Sequence, residues 1–175
     1  MRIPIVGEVY DPEFGYFPGK ISGYFEDNDT VIIIINKFYS LPLTMAPAAA
    51  RTISDFLKDT KTSPADYDLI LTGDLGFTGS ELLYQILKTE NGIDLKAYHN
   101  DCGKMIFNLK EQDVNSGGSG CGCGASVLCS HIMKNMKKGR LKKVLFLATG
   151  ALMSPTANKQ GNPIPGIAHA VLLEA

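Results

Sequence analysis

The sequence has few cysteines, no excess of basic residues and no long hydrophobic run. Its 17 basic and 18 acidic side chains give a net charge of −1, whereas proteins that bind nucleic acids or membrane surfaces usually carry basic clusters. The longest aliphatic run, residues 31–35, is far shorter than the roughly 20 residues that cross a bilayer. The first residues also lack the apolar stretch and cleavage site of a signal peptide. We therefore expect an intracellular protein without a nucleic-acid partner.

The four cysteines are too few to form a disulfide scaffold in a chain of 175 residues. Cys121 and Cys123 flank a single glycine, but structural zinc sites usually need two ligand pairs. The three histidines are scattered along the chain, at His99, His131 and His169. We therefore expect a reducing compartment and no metal site.

The hydrophobic content of 45% is sufficient for the core of one domain. From residue 44 onward, apolar runs with strand character alternate with segments of helical periodicity. Strands are predicted over residues 67–72, 104–109, 143–149 and 167–174. Helices are predicted after a cap at Thr44, after a cap at Thr78 or Ser80 and ending at Asn91–Gly92, and over residues 125–138. This alternation favours an α/β fold, with helices packed on a mixed sheet.

The first 43 residues have a different pattern. Strands are predicted over residues 5–10 and 31–39, with proline, glycine and turn residues between them. The chain therefore divides into a divergent N-terminal segment, residues 1–43, and a domain formed by residues 44–175.

A glycine-rich segment, residues 116–124, precedes the third predicted helix. Glycines such as Gly120 and Gly122 allow close backbone approach, and N–H groups at a helix start favour an anion. The segment does not match the phosphate-binding pattern GxxxxGK[ST]. Tight packing alone and packing combined with ligand contact both remain open.

Four polar side chains are candidates for a site. Asp74 follows a predicted strand, and α/β sheets bind ligands beyond the carboxyl ends of their strands. Cys121 and Cys123 lie just before a helix, where a thiol with a lowered pKa is a candidate nucleophile, although buried cysteine is the more common case. His169 lies in an apolar strand, and two roles are open for it: a structural residue or a ligand.

Two other features are expected to be structural. The loop of residues 99–103, with His99 near Asp101 and Cys102, is expected to be a capped turn exposed to water. Cys129 lies on the apolar face of the third helix and is expected in the core.

Six short motifs, in order, resemble the stage V sporulation protein AD family of spore-forming bacteria. The resemblance runs from about residue 44 to residue 174 and covers the C-terminal half of that family, whereas residues 12–43 do not match it. The motifs are MAPAA (45–49), YDLILTGDLG (67–76), NDCG (100–103), GGSGCGC (117–123), ATGALMSP (148–155) and IPGIAHAV (164–171).

The resemblance implies a thiolase-like half domain, one of two similar α/β halves in an αβαβα body. In thiolase-like enzymes the other half supplies the nucleophilic cysteine. This chain has Gly73–Asp74 where condensing enzymes carry a histidine, and Cys121 where thiolases carry another. We therefore expect no catalytic residues and no cofactor.

The implied function is binding of dipicolinic acid, usually with calcium, during its uptake into the developing spore. Implied partners are an N-terminal thiolase-like half or a second copy, and membrane channel proteins at the spore inner membrane, where this protein would be peripheral. The candidate ligand-binding residues are Asp74, Gly120, Cys121, Gly122, Cys123 and His169. Two alternatives are an acyl-transfer enzyme of the thiolase or ketoacyl synthase type, with Cys121 or Cys102 as nucleophile, and a truncated product of a longer protein.

Overall fold

The computed structural model describes residues 10–11, 15–16, 21–27, 30–35, 41–108, 110–114, 120–151, 154, 156, 160 and 164–175, with side chains from residue 44 onward except at 164. Its strands are β1 Tyr10–Asp11, β2 Gly15–Tyr16, β3 Ile21–Asp27, β4 Thr30–Ile35, β5 Leu69–Thr72, β6 His99–Asp101, β7 Lys143–Ala151 and β8 Ile164–Glu174. Its helices are α1 Leu41–Thr60, α2 Gly76–Asn91, α3 Cys102–Ile106, α4 Cys123–Val127, a π-helical stretch Leu128–Ile132, and α5 Met133–Lys137, with a 3₁₀ turn at Pro64–Asp66.

Six strands form one mixed sheet in the order β3-β4-β8-β7-β5-β6, and β1 pairs with β2 separately. Strand β5 is parallel to both β6 and β7, whereas β8 is antiparallel to β7 and to β4. Helices cover the part of the sheet formed by β8, β7, β5 and β6, so the predicted α/β class is confirmed. The predicted strand residues 5–9 and 36–39 lie outside the described part of the chain.

The two faces of the sheet follow from the alternation of side chains along β7. Leu145 and Leu147 pack with helices α1 and α2, whereas Val144 and Phe146 pack with α4 and α5. Helix α1 crosses β8 very closely, because a Cβ atom on Gly166 would lie 2.1 Å from the carbonyl oxygen of Thr44. The sheet is thus the middle of three layers, with helices packed on both of its faces.

Three predicted local features are wrong. Helix α1 begins at Leu41, so Thr44 is buried within it and does not cap it. Helix α2 begins at Gly76, before both predicted caps. The predicted strand over residues 104–109 is replaced by helix α3, because Asp101 caps that helix through its side chain. The division at residue 44 stays a prediction.

The predicted burial of Cys129 is also wrong, because this side chain is exposed. The cause is the π-helical stretch Leu128–Ile132, in which residues five apart share a face. Val127 and Ile132 are both buried, and Met133 is 38% exposed, although the α-helical pattern places it inward.

Candidate functional site

The parallel strands β5, β6 and β7 bring their carboxyl ends to one edge of the sheet, which we call the carboxyl edge. It comprises the turn of residues 73–76 after β5, Asp101 and Cys102 at the end of β6, Thr149 in β7, and the segment of residues 120–123, whose last residue begins α4. Ligands of open α/β sheets bind beyond this edge. It is therefore the edge at which a ligand is expected.

Asp74 contacts the glycine-rich segment directly. The main-chain N–H of Gly120 donates a 2.6 Å hydrogen bond to Oδ2 of Asp74. The N–H of Asp74 in turn donates to Oγ1 of Thr149, at 3.1 Å. A Cβ atom on Gly124 would lie 3.2 Å from the Cα of Gly73, so the start of α4 packs against the turn itself. These contacts bring Asp74 and the segment 120–123 together, while their role in ligand binding stays a prediction.

The cysteines differ in accessibility. Cys121 is exposed, whereas Cys123 and Cys102 are buried in one apolar cluster. Burial raises the pKa of the Cys102 thiol well above its usual range, and the negative charge of Asp101 adds to the shift. Cys102 therefore stays a neutral thiol, which counts against it as a nucleophile.

His169 is exposed in β8 and pairs with Ala148 of β7. Because side chains alternate along a strand, His169 shares the face of Leu173, which packs against the α4–α5 cluster. His169 therefore lies on the same side of the sheet as the helix that follows the glycine-rich segment. An open groove of about 420 Å³ lies elsewhere, between the C-terminal parts of α1 and α2, and none of the candidate residues line it.

The prediction of a water-exposed turn at residues 99–103 is wrong, because Asp101, which was not among the candidate residues, is fully buried. Its Oδ2 accepts hydrogen bonds from Oγ1 of Thr72 at 2.6 Å and from the N–H of Leu75 at 2.7 Å. Its Oδ1 accepts from the N–H groups of Gly76, Gly103 and Lys104, at 2.9, 2.9 and 3.3 Å. Burial raises the pKa of the Asp101 carboxyl, while these hydrogen bonds oppose the shift. Since every contact is a donor, the carboxylate form fits the site.

His99 continues this network. Its Nε2 lies 3.0 Å from Oγ1 of Thr72, and its Nδ1 lies 2.8 Å from the hydroxyl of Tyr84. Because the single hydroxyl proton of Thr72 goes to Asp101, Nε2 of His99 must donate and Nδ1 must accept from Tyr84. Burial lowers the pKa of His99 to about 3, with the positive charge of Lys104 as a smaller cause. The imidazole is therefore neutral.

One sequence signal pointed to this network. His99 and Asp101 are two residues apart, so in a strand their side chains share one face. The third member, Thr72, comes from the neighbouring strand β5 and pairs with Asp101 in the parallel register. Recognising β6 as a strand would have placed these residues side by side.

The family model for stage V sporulation protein AD matches residues 33–174. Over 136 residues the chain is 48% identical to the stage V sporulation protein AD of Bacillus subtilis (strain 168), a match that covers 78% of this chain and 40% of the relative. The chain belongs to the stage V sporulation protein AD family. The resemblance predicted from the six motifs is thereby confirmed, but the match begins at residue 33, so residues 33–43, which were predicted to lie outside the family, belong to it.

The match to this member of the stage V sporulation protein AD family spans 40% of the length of the Bacillus subtilis relative. The family match includes every candidate residue, from Asp74 to His169. Among the residues that the structure describes, no helix has the length and apolar character needed to cross a bilayer. The described residues also hold no group of three or more His, Cys, Asp or Glu side chains arranged to bind a metal ion.

Proposed function

We propose that this chain is a non-catalytic, thiolase-like sporulation protein that helps to bind dipicolinic acid during its uptake into the developing spore. The observation that carries the proposal is the 2.6 Å hydrogen bond between Gly120 and Asp74. It holds Gly120 of the glycine-rich segment at the carboxyl edge, where α/β proteins bind small ligands. Membership of the stage V sporulation protein AD family supports the assignment to sporulation.

The charge at the carboxyl edge favours the calcium chelate of dipicolinate over the free dianion. Asp74 places a carboxylate there, and a carboxylate repels a dianion but binds calcium through oxygen. Lys104 directly follows the NDCG motif and carries a positive charge. Its ammonium, however, lies over two rings of α2, 5.6 Å from the ring centre of Phe77 and 5.7 Å from that of Tyr84. We therefore expect tighter binding of dipicolinate when calcium is present.

The proposal extends to a partner surface and to a peripheral position at the spore inner membrane, beside membrane channel proteins. Ile167 and Val171 are 37% and 50% exposed on the sheet face next to α4–α5, and Met133 of α5 is 38% exposed. An apolar surface of this kind favours association. An N-terminal thiolase-like half or a second copy would cover it, and sedimentation at increasing concentration tests the second possibility.

Calorimetric titration of the purified, folded chain with dipicolinate, with and without calcium, tests the ligand. The matched variants are Asp74→Asn and Cys121→Ser at the carboxyl edge, with Cys129→Ser as an exposed control in the π-helical stretch that follows α4. We expect saturable heat for the unchanged chain and for Cys129→Ser, and at least a tenfold loss of affinity for Asp74→Asn. A folded chain that gives no heat under either condition would show that this chain alone does not hold the site.

The alternative function, acyl transfer, is favoured by one observation, the exposure of Cys121 just before α4. It predicts that Cys121 is alkylated much faster than Cys129 at neutral pH and that an acyl-CoA protects it. Equal, slow alkylation of the two exposed thiols would exclude this alternative.

A further inference from the structure

Asp101 fixes the turn that carries Asp74 through hydrogen bonds to its main chain. The N–H groups of Leu75 and Gly76, the two residues after Asp74, donate to the two carboxylate oxygens of Asp101 at 2.7 and 2.9 Å. Gly76 has a φ of 66°, a left-handed conformation that favours glycine. The direction in which Asp74 points is therefore set by Asp101 on one side and by its own bond to Thr149 on the other.

The same contacts occupy the start of helix α2. The first N–H groups of a helix attract anions, and here Asp101 already satisfies those of Leu75 and Gly76. A ligand carboxylate would therefore have to compete with Asp101 for these two N–H groups. On the other side of Asp74 lies the segment of residues 120–123, whose Gly120 N–H donates to the Asp74 carboxylate.

Asp101 is itself oriented by a chain of hydrogen bonds with one direction. Tyr84 donates to Nδ1 of His99, Nε2 of His99 donates to Thr72, and Thr72 donates to Asp101, over distances of 2.8, 3.0 and 2.6 Å. Thr72 and Asp101 are fully buried, and His99 is 9% exposed. Buried polar groups that are all satisfied fix one arrangement, whereas the loss of one member leaves others without partners.

We propose that Tyr84, His99 and Thr72 are positioning residues that orient Asp101, and through it the turn of residues 73–76 that presents Asp74 to the ligand. The part that concerns the ligand rests on the proposed function. The ordering of the turn does not depend on it, so the two can fail separately.

The decisive pair of variants is Thr72→Val and Thr72→Ser. Valine matches the shape of threonine but removes the hydroxyl, whereas serine keeps it. In Thr72→Val we expect amide hydrogen exchange at Leu75 and Gly76 to accelerate about tenfold or more, since a buried hydrogen-bond partner is lost. Exchange in Thr72→Ser should stay close to that of the unchanged chain, and the amide of Leu145 in β7 serves as an internal control for global opening.

Nitrogen NMR of His99 gives a readout that a merely structural role would not move. The network requires the tautomer with the proton on Nε2. Tyr84→Phe removes the hydroxyl that donates to Nδ1 of His99 and keeps the aromatic ring. We therefore expect the population of His99 with the proton on Nδ1 to rise. This variant keeps the proposal testable if Thr72→Val does not fold.

The outcomes separate the two claims. Faster exchange in Thr72→Val but not in Thr72→Ser, with the Nε2 tautomer in the unchanged chain, supports the network. Equal exchange in both variants, or a dominant Nδ1 tautomer, overturns it whether or not dipicolinate binds. If the unchanged chain binds dipicolinate and Thr72→Val binds it equally well despite faster exchange, the role in presenting Asp74 is overturned. If neither binds, the proposed function fails while the network is judged from exchange and tautomer alone.

Discussion

Replacing Asp101 by asparagine should destabilise the protein more than any other single change of charge in its described part. The carboxylate accepts three main-chain N–H groups at Oδ1, and one N–H and the Thr72 hydroxyl at Oδ2. Asparagine offers one oxygen only, so it would turn that oxygen to the three N–H groups. Its amide N–H₂ would then face the donors of Leu75 and Thr72.

The magnitude follows from those contacts. The N–H of Leu75 would lose its acceptor in a buried place, which costs about 1–3 kcal/mol. The Thr72 hydroxyl would have to turn its proton away from the amide N–H₂ and lose the bond that it donates, and the remaining bonds would lose their assistance from charge. A hydrogen bond to a charged group contributes about 1.5–3 kcal/mol, so the lost bond from Thr72 adds a term of that size, and the gain from removing a buried charge offsets part of the sum. We therefore expect a loss of about 3–4 kcal/mol in the free energy of unfolding.

Urea unfolding followed by circular dichroism measures this loss, with Asp59→Asn as the control because Asp59 is exposed on α1. For a domain of this size a loss of 3–4 kcal/mol corresponds to a fall in melting temperature of about 6–16 °C. The control should stay within about 0.5 kcal/mol of the unchanged chain. A loss below about 1 kcal/mol for Asp101→Asn would refute the hydrogen-bond assignment around this carboxylate.

Three further predictions follow. The folded pKa of His99, about 3, lies below the unfolded value of 6.5, so its contribution to stability is present above pH 6.5 and is lost as the pH falls toward 3. The free energies of unfolding of the unchanged chain and of His99→Gln should therefore diverge by up to about 1.4 kcal/mol per pH unit in that range, and a parallel pH dependence would contradict the assignment. The raised pKa of Asp101 acts in the opposite direction, but it does so in both proteins. Gly166→Ala should cost about 1–3 kcal/mol or more, because its Cβ would meet the Thr44 carbonyl at 2.1 Å, whereas Gly122→Ala, with open space around it, should cost far less. A thiol reagent should modify two of the four cysteines in the native chain and the other two after unfolding, the accessible pair being Cys121 and Cys129; native modification of all four would contradict the burial.

Much of the fold could be predicted because its longest elements have strong periodicity. Strands β7 and β8 are apolar runs, and helix α2 ends before Gly92, whose φ of 68° ends it as predicted. Helix α3 could not be predicted from its apolar residues, because the cap at Asp101 decides it. Cys129 could not be placed from an α-helical period, because a π-helical stretch changes the phase.

The candidate site was predicted only where local signals sufficed. The contact of Asp74 with Gly120 joins a strand end to a helix start, and both positions are recognisable in the sequence. The burial of Asp101 depends on donors from Thr72, Leu75 and Gly76, which are far from it in sequence and become neighbours through the parallel pairing of β5 and β6. These donors, distant in sequence, make Asp101 the centre of a buried network, although its local sequence is typical of an exposed turn.

The protonation states of the buried groups around Asp101 count against proton transfer by these groups. An efficient general acid or base has a pKa near the working pH. Burial instead moves the pKa of His99 down to about 3 and that of Tyr84 up to about 12, so both stay neutral across the physiological range. The oxygens of Asp101 are both occupied by donors, and the buried Cys102 thiol resists ionisation. These groups therefore hold the turn that carries Asp74 in one conformation, and a rigid turn is what a binding site for a small ligand requires.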